Sequence, residues 1–350
     1  MKRHPELSLR QPVPTSINRM LGFRRKEVSL FFQNIEQEVK AFSINGTRIF
    51  NVDESGLSTV QKTPKVIAQK GTRTVGQATS AERGTNVTVV CCMSASGTFV
   101  PPCFVFPRKN MNANLLRHAP LGSEGYTSPS GWMTAEIFLA WMKHFIKHVK
   151  PSLSDPVLLV LDNYSAHVSL PVLTLASENG VRMVSLPPHT SHKTQPLDRA
   201  FFKPLIVHFN RECTQWMLNH PGSRITIYEL AEIFRPAYSR AATVEKAENG
   251  FRVTGIWPLN PNVFGEEDYA AAENLLPKTG GTASATVGDQ LLNLSTTLTP
   301  SLSTTVTPTS RPSTIAPSVE DISPLPAPKL SETRKGSVKR STPRGLPQHL

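Results

Sequence analysis

The 350-residue chain has few cysteines and no long apolar run, and both features limit the classes of protein to which it can belong. Its four cysteines, at positions 91, 92, 103 and 213, form no CxxC pair and no regular spacing, which argues against a zinc site and a disulfide framework. The longest aliphatic run, Val157–Leu161, is too short to cross a bilayer, and the N-terminus lacks the apolar core of a signal peptide. We therefore expect an intracellular protein of a reducing compartment that does not associate with membranes.

Aromatic residues are absent after Tyr269. From Lys278 to Leu350, 33 of 73 residues are Ser, Thr or Pro, so this segment cannot bury enough apolar surface to offset the entropy lost on ordering. We predict that residues from about Lys278 onward lack stable structure, and we assign residues 266–350 to a disordered Ser/Thr/Pro-rich tail.

Acidic residues are in the minority. The chain has 26 Asp and Glu against 38 Lys and Arg, which gives a formal net charge of +12. This excess favours an acidic partner such as nucleic acid. Ribosomal, secreted and membrane-surface proteins are often as basic, so charge alone does not identify the partner.

The apolar pattern is first helical, then β-rich, and then alternates between strands and helices. Residues 1–44 carry a stripe of apolar side chains at helical spacing, which predicts a buried helix face. The members of the stripe are Val28, Phe31, Phe32, Ile35 and Val39. Further along, the pattern predicts strands at residues 48–52, 86–93, 98–106, 157–161 and 181–186, and helices at residues 134–149 and 169–179.

This order of elements predicts an α/β fold with a mixed sheet. Antiparallel strands come first and a β-α-β unit follows. Residues 157–161 are apolar throughout, so their strand is expected at the centre of the sheet with helices on both of its faces.

Aspartate is scarce, and two of the seven aspartates directly follow apolar strand candidates. Asp53 follows residues 49–52 and Asp162 follows residues 157–161, the position where open α/β sheets present functional groups. If the two strands are parallel neighbours, the carboxylates lie side by side, and a shared divalent cation would relieve their repulsion. The alternative is that each aspartate only begins a turn or caps a helix. Glu54 should point to the opposite side of its strand and is interpreted as structural.

Asp198 is a third acidic candidate. It follows a proline-interrupted segment, residues 185–197, and precedes an apolar helical pattern over residues 200–219. Its alternative role is the N-cap of that helix.

Several motifs in this order resemble one transposase family. They are NVDESG at residues 51–56, LDNYSAH at residues 161–167, LPPHTS at residues 186–191, QPLD at residues 195–198, GTR at residues 71–73 and FRVTGIWPLN at residues 251–260. Together they resemble the catalytic core of the pogo/Tigger/jerky branch of the Tc1/mariner-type DDE transposases. The resemblance extends from about His4 to Asn262, three quarters of the chain.

The resemblance implies an RNase H-like sheet flanked by helices and a metal-dependent DNA nuclease and strand transferase. Asp53, Asp162 and Asp198 match the three carboxylates that bind two Mg²⁺ or Mn²⁺ ions. Asp53 and Asp162 are assigned to the shared ion and Asp198 to the second. DNA is the implied partner, the nucleus the implied location, and a homodimer is among the assemblies that the resemblance allows.

Four further side chains are candidates for nucleic-acid contacts: His167, His189, His192 and Lys193. A hydrogen-bonded structural histidine is the alternative for His167, and solvated loop positions are the alternative for the other three.

The resemblance also divides the chain. Family members carry two helix-turn-helix modules before the catalytic core, and residues 2–10 look like the end of the second, so the chain is interpreted as N-terminally truncated. We expect this remnant and a helical linker in residues 1–44, the RNase H-like endonuclease domain in residues 45–265, and the tail in residues 266–350. DNA binding should then be non-specific and salt-sensitive. The alternative function is a domesticated, non-catalytic nuclear scaffold for nucleic acid or protein.

Overall fold

A computed structural model describes residues 15–63, 66–76 and 79–275. These residues all lie within one compact unit, residues 1–280. Its strands are β1 (Ile49–Ser58), β2 (Asn86–Ser94), β3 (Phe99–Pro107), β4 (Glu124–Ser128), β5 (Val157–Leu161) and β6 (Val181–Ser185). Its helices are α1 (Ile17–Gly22), α2 (Arg25–Phe42), α3 (Ala135–Val149), α4 (Leu170–Glu178), the single turn α5 (Ser191–Thr194), α6 (Phe202–Asn219), α7 (Leu230–Ala241), α8 (Val244–Val253) and α9 (Glu266–Leu275).

The six strands form one mixed sheet in the order β4-β3-β2-β1-β5-β6. Strands β1, β2 and β3 pair antiparallel, while β5 lies parallel to β1 and β6 parallel to β5. Strand β4 pairs parallel with β3 at the far end of the sheet. The antiparallel run β1-β2-β3 beside the parallel run β1-β5-β6 is the RNase H-like arrangement. The prediction of a mixed α/β sheet flanked by helices is therefore confirmed.

Each face of the sheet is covered by helices, because neighbouring residues of a strand point to opposite faces. On one face, Leu158 and Val160 of β5 join a core with Phe209 of α6 and Phe234 of α7. On the other face, Leu159 joins a core that includes residues of α3 and α4, such as Trp141 and Val172. All five residues of β5 are buried, as the apolar run predicts for a central strand. The four cysteines are buried and form no disulfide.

The N-terminal helices belong to the same core as the sheet. Val28, Phe31, Phe32 and Ile35 of α2 are buried, as the stripe predicts, and Val39 is partly buried. The predicted division between residues 44 and 45 therefore does not separate two cores.

The predicted tail begins too early. Residues 266–275 form α9, and Tyr269 is only 3% exposed because its ring stacks on Phe23 with the centroids 5.1 Å apart. The guanidinium of Arg25 covers the same ring at 4.4 Å. Tyr269 and the buried Ala272 thus attach α9 to the core. The predictions for residues 276–350 and for the helix-turn-helix remnant at residues 2–10 fall outside the described residues.

Strand β1 is longer than the sequence predicts, and this changes the setting of Asp53. Antiparallel pairing with β2 continues to the Ser58–Asn86 pair, whereas the recorded pairing with β5 stops at Asn51–Val160. Asp53 therefore lies within the strand and not after its end. At Asp53, β1 is still paired with β2 but no longer with β5.

Candidate active site

Asp53, Asp162 and Asp198 belong to three chain segments that meet where the pairing of β1 with β5 ends. In the parallel β1–β5 pair, Asn51 lies opposite Val160, and an aspartate follows each of them by two residues. Asp198 belongs to a π-helical turn, Leu197–Phe201, that continues directly into α6. No side chain caps this turn or α6, so the alternative role of Asp198 as an N-cap is wrong.

The three carboxylates affect one another electrostatically. Burial raises the pKa of Asp53 well above its usual value, and the charges of Glu54, Asp198 and Asp162 raise it further. The pKa of Asp198 is also raised, first by partial desolvation and then by Asp162, against the opposing effect of Arg19. Ionised carboxylates that lie close together repel one another, and a hard divalent cation bound by their oxygens would relieve this repulsion.

Their role as metal ligands stays a prediction. Within the described ranges, no three His, Cys, Asp or Glu side chains lie in a geometry that would hold a metal ion. The chemistry of the donor set fits Mg²⁺ or Mn²⁺, because both ions prefer carboxylate oxygens.

Asp162 differs from the other two carboxylates because it forms an ion pair with a buried histidine. Nδ1 of His167 lies 2.7 Å from Oδ1 of Asp162, and Nε2 of the same ring lies 3.1 Å from Oε1 of Glu54. Burial lowers the pKa of His167, but the two carboxylates outweigh burial and raise it to about 10. Burial raises the pKa of Asp162, but His167 and the backbone N–H of Tyr164 outweigh it, so the net pKa is lowered. Asp162 therefore stays ionised, whereas Asp53 and Asp198 have raised pKa values and bind protons more readily.

His167 is a buried histidine held between two carboxylates, as its structural alternative predicts, and its contact with nucleic acid stays a prediction. Its side chain is 1% exposed, both ring nitrogens face carboxylates, and the ring packs on Phe138 with the centroids 4.1 Å apart. His167 links Asp162 to Glu54. Glu54 points away from the face of Asp53, as strand alternation predicts.

The other three candidates for nucleic-acid contact differ in accessibility. His189 is exposed, and its backbone has a positive φ of 63°. His192 is half-buried, and its pKa is lowered by burial and by the charges of Lys193 and Arg19. Nζ of Lys193 donates to Oδ1 of Asp268 at 2.8 Å and lies 4.3 Å from the centre of the Phe23 ring. Lys193 is thus engaged by α9, and the interpretation of a solvated, free lysine is wrong.

Two buried amides in the site have no assigned role in the sequence interpretation. Nδ2 of Asn51 donates to the carbonyl of Val160 at 2.9 Å and to Oε1 of Gln195, and Oδ1 of Asn51 accepts from the N–H of Leu197 at 3.1 Å. Both side chains are fully buried. The signal that could have found them is their position at the start of the NVDESG and QPLD motifs.

Residues 84–242 match the model of a family described as the DDE superfamily endonuclease. The matched range contains Asp162 and Asp198, while Asp53 lies before it. It also contains five of the six strands, β2 to β6.

One curated relative is a protein of Cochliobolus lunatus named "MFS-type transporter clz9". It is 29% identical over 235 residues, which are 66% of this chain and 25% of that protein. The chain thus spans about a quarter of the length of this relative. Within the residues that the structure describes, no helix is both long and apolar enough to cross a membrane.

The solved structures that resemble this chain include complexes and fragments of Mos1 transposase. A Mos1 paired-end complex with the left transposon end matches at 14% identity and a TM-score of 0.45, over 77% of this chain and 69% of that one. A Mos1 paired-end complex with Mn matches at 14% identity and a TM-score of 0.44, over 78% and 69%. The Mos1 catalytic domain matches at 12% identity and a TM-score of 0.38, over 75% and 97%.

Proposed function

We propose, from the membership of residues 84–242 in the DDE superfamily endonuclease family, that this chain cuts DNA phosphodiester bonds with divalent metal held by Asp53, Asp162 and Asp198. The observation that carries the proposal is the placement of the three segments: Asp53 and Asp162 each follow the paired residues Asn51 and Val160 by two positions, and Asn51 also binds the residue before Asp198. The formal charge of +12 supports a polyanionic substrate. By resemblance, the origin of the chain is a Tc1/mariner-like transposase of the pogo branch.

The chain's own residues prepare this chemistry. Two bound divalent ions would supply the activation of a water or a DNA 3′-hydroxyl and the stabilisation of the leaving oxygen. Asp162 is held ionised by His167, and the Glu54 contact fixes the orientation of that ring. Asp53 must lose its proton before it can act as a ligand, and the raised pKa of this residue makes proton and cation compete for the same oxygens.

A nuclear location belongs to the same proposal, because a DNA-cutting protein must reach DNA, and a homodimer is proposed from the family resemblance alone. Fluorescence imaging of the tagged full-length chain in cells tests the location, and exclusion from the nucleus would contradict it.

The proposal is tested by nicking of supercoiled plasmid DNA by the full-length protein with Mg²⁺ or Mn²⁺. We expect slow nicking with little sequence preference, and a loss of at least about 100-fold in Asp53→Asn, Asp162→Asn and Asp198→Asn. EDTA should abolish the activity.

Asp155→Asn is the matched control. Asp155 lies just before β5, is exposed, and pairs with Arg48 at 2.9 Å, so the substitution removes the same charge outside the site. The Asp155→Asn protein should nick like wild type. Equal nicking by all four variants, or no metal-dependent nicking by a folded wild type, would contradict the proposal and favour the non-catalytic scaffold.

A further inference from the structure

One buried side chain contacts all three segments that carry the aspartates. The amide of Asn51 lies two residues before Asp53 on the same strand. It donates to the carbonyl of Val160, two residues before Asp162, and it accepts from the N–H of Leu197, the residue before Asp198. Asn51 is fully buried in the sheet, so water does not compete for these contacts.

The donor and acceptor pattern of this amide fixes its orientation. Oδ1 must face Leu197, since the backbone N–H is a donor, and Nδ2 must face Val160, since the backbone carbonyl is an acceptor. Oε1 of Gln195 accepts from the same Nδ2 and adds a second contact to the segment that leads to Asp198. A carboxylate at position 51 could still accept from the N–H of Leu197, but its second oxygen would face the carbonyl of Val160, which is itself an acceptor.

These contacts act against a repulsive force. Ionised carboxylates that lie close together repel one another when no cation is bound, so bringing them to one site costs free energy. Something other than the carboxylates must therefore keep the turn before α6 close to β1 and β5. Hydrogen bonds to a single planar amide, buried away from competing water, are suited to that task.

We propose that Asn51 is the positioning residue that sets the distances among Asp53, Asp162 and Asp198 before metal binds. This inference rests on the proposed function. It assigns to Asn51 no contact with DNA or metal; its effect is exerted through the backbone of the three segments. The same placement assigns Gln195 a supporting part.

The test uses Asn51→Leu, which keeps the size of the side chain and removes all three hydrogen bonds. In the metal-free full-length protein, hydrogen exchange at residues 195–201 should become at least about 10-fold faster, because the N–H of Leu197 loses its acceptor. Mn²⁺ affinity, measured by the paramagnetic resonance signal of free Mn²⁺, should fall at least about 10-fold. A purely structural role would lower the melting temperature and leave the Mn²⁺ affinity of the folded protein unchanged.

Thr88→Val is the matched control. Thr88 is a buried residue of β2 whose hydroxyl donates to the carbonyl of Gly131 at 2.7 Å, so the substitution also removes a buried hydrogen bond from the sheet. We expect wild-type exchange at residues 195–201 and Mn²⁺ affinity within about twofold of wild type. If Asn51→Leu does not fold, Gln195→Met decides, since it removes one contact only, and we expect its Mn²⁺ affinity to fall at least about threefold.

The outcomes separate the two claims. If wild type binds Mn²⁺, and folded Asn51→Leu binds it with equal affinity and shows unchanged hydrogen exchange, the inference is overturned. The proposed function then stays intact. A wild type that binds no Mn²⁺ contradicts the proposed function, and the positioning claim falls with it. Unchanged affinity in a folded Gln195→Met protein also overturns the inference when Asn51→Leu cannot be measured.

Discussion

At the scale of single residues, the site combines carboxylates with opposite proton affinities. Asp53 and Asp198 have raised pKa values, whereas the pKa of Asp162 is lowered by its contact with His167. The difference arises from one buried imidazole that lies next to Asp162 and Glu54. In the absence of cations, the site therefore resists full ionisation at Asp53 and favours it at Asp162.

We predict that Asp53→Asn stabilises the metal-free protein at neutral pH. The folded-state pKa of Asp53 is above its unfolded value, so the ionised residue costs stability at high pH and this cost disappears as pH falls through the folded pKa. In EDTA at pH 7, the melting temperature should rise by at least about 2 °C, the shift that about 1 kcal/mol produces in a domain of this size. The gain should shrink at pH 4.

Calorimetry of wild type, Asp53→Asn and the exposed control Asp155→Asn checks this prediction. Asp155→Asn should show no rise, because it loses an ion pair with Arg48. An unchanged or lower melting temperature for folded Asp53→Asn at pH 7 would show that repulsion at Asp53 is not the dominant effect.

We also predict that His167→Gln destabilises the protein by about 3 kcal/mol near pH 6.5. Removing one partner of a buried ion pair leaves carboxylates without compensation, and the partial exposure of Asp162 places the cost at the low end of the usual range. The folded pKa of His167 is raised, so its contribution is complete below the unfolded pKa near 6.5 and is lost as pH rises through about 10.

Urea unfolding at pH 6.5 and pH 10 measures the difference between wild type and His167→Gln. That difference should be large at pH 6.5 and small at pH 10. His220→Gln is the control, since His220 is an exposed residue near the end of α6. A constant difference across this pH range would mean that His167 is neutral in the folded protein.

At the scale of elements, α9 closes over the segment that leads to Asp198. Asp268 engages Lys193, Glu266 pairs with Arg25 at 2.6 Å, and Tyr269 stacks on Phe23. Three acidic residues of α9 pair with basic side chains: Glu266 and Glu273 with Arg25 of α2, and Asp268 with Lys193 of α5. The acidic side chains of α9 therefore compete with any bound polyanion for Arg25 and Lys193.

We predict that Asp268→Asn strengthens non-specific DNA binding by releasing Lys193. Each additional phosphate contact makes the slope of log affinity against log salt steeper by about 0.9. Fluorescence anisotropy of a duplex at several salt concentrations should show this change in slope.

Glu178→Gln is the control for Asp268→Asn because it makes the same charge change at an exposed position of α4. It should leave the slope unchanged within error. The same slope change in both variants would indicate a general charge effect and would contradict the specific release of Lys193.

Sequence reasoning reached the sheet and the three aspartates but not the contacts that organise them. The apolar run of β5 and the stripe of α2 are local patterns, so they could be recognised without the fold. The end of β1 was missed because all of residues 54–58 except Leu57 are polar or small, and pairing with β2 orders the segment. The contacts of Asn51 with Val160 and Leu197 join residues more than 100 positions apart, and no local pattern encodes them.

At the scale of the whole molecule, one core unites the N-terminal helices, the sheet and α9. Phe23 shows this most clearly, because its ring contacts Phe264 and Tyr269 from the C-terminal part of the described chain. The same region holds Arg19, whose charge opposes the raised pKa of Asp198. The helices before the sheet therefore belong to the environment of the site and not to a separate module.

The central claim is that three aspartates from distant parts of the chain form one divalent-metal site, and Mn²⁺ binding tests it most directly. Titration of the full-length, metal-free protein at pH 7.5, followed by paramagnetic resonance of free Mn²⁺, should show saturable binding by wild type and by Asp155→Asn. Each of Asp53→Asn, Asp162→Asn and Asp198→Asn should bind at least about 10-fold more weakly while remaining folded. Wild-type Mn²⁺ affinity in any one of these three variants, or no saturable binding by folded wild type, would contradict the claim.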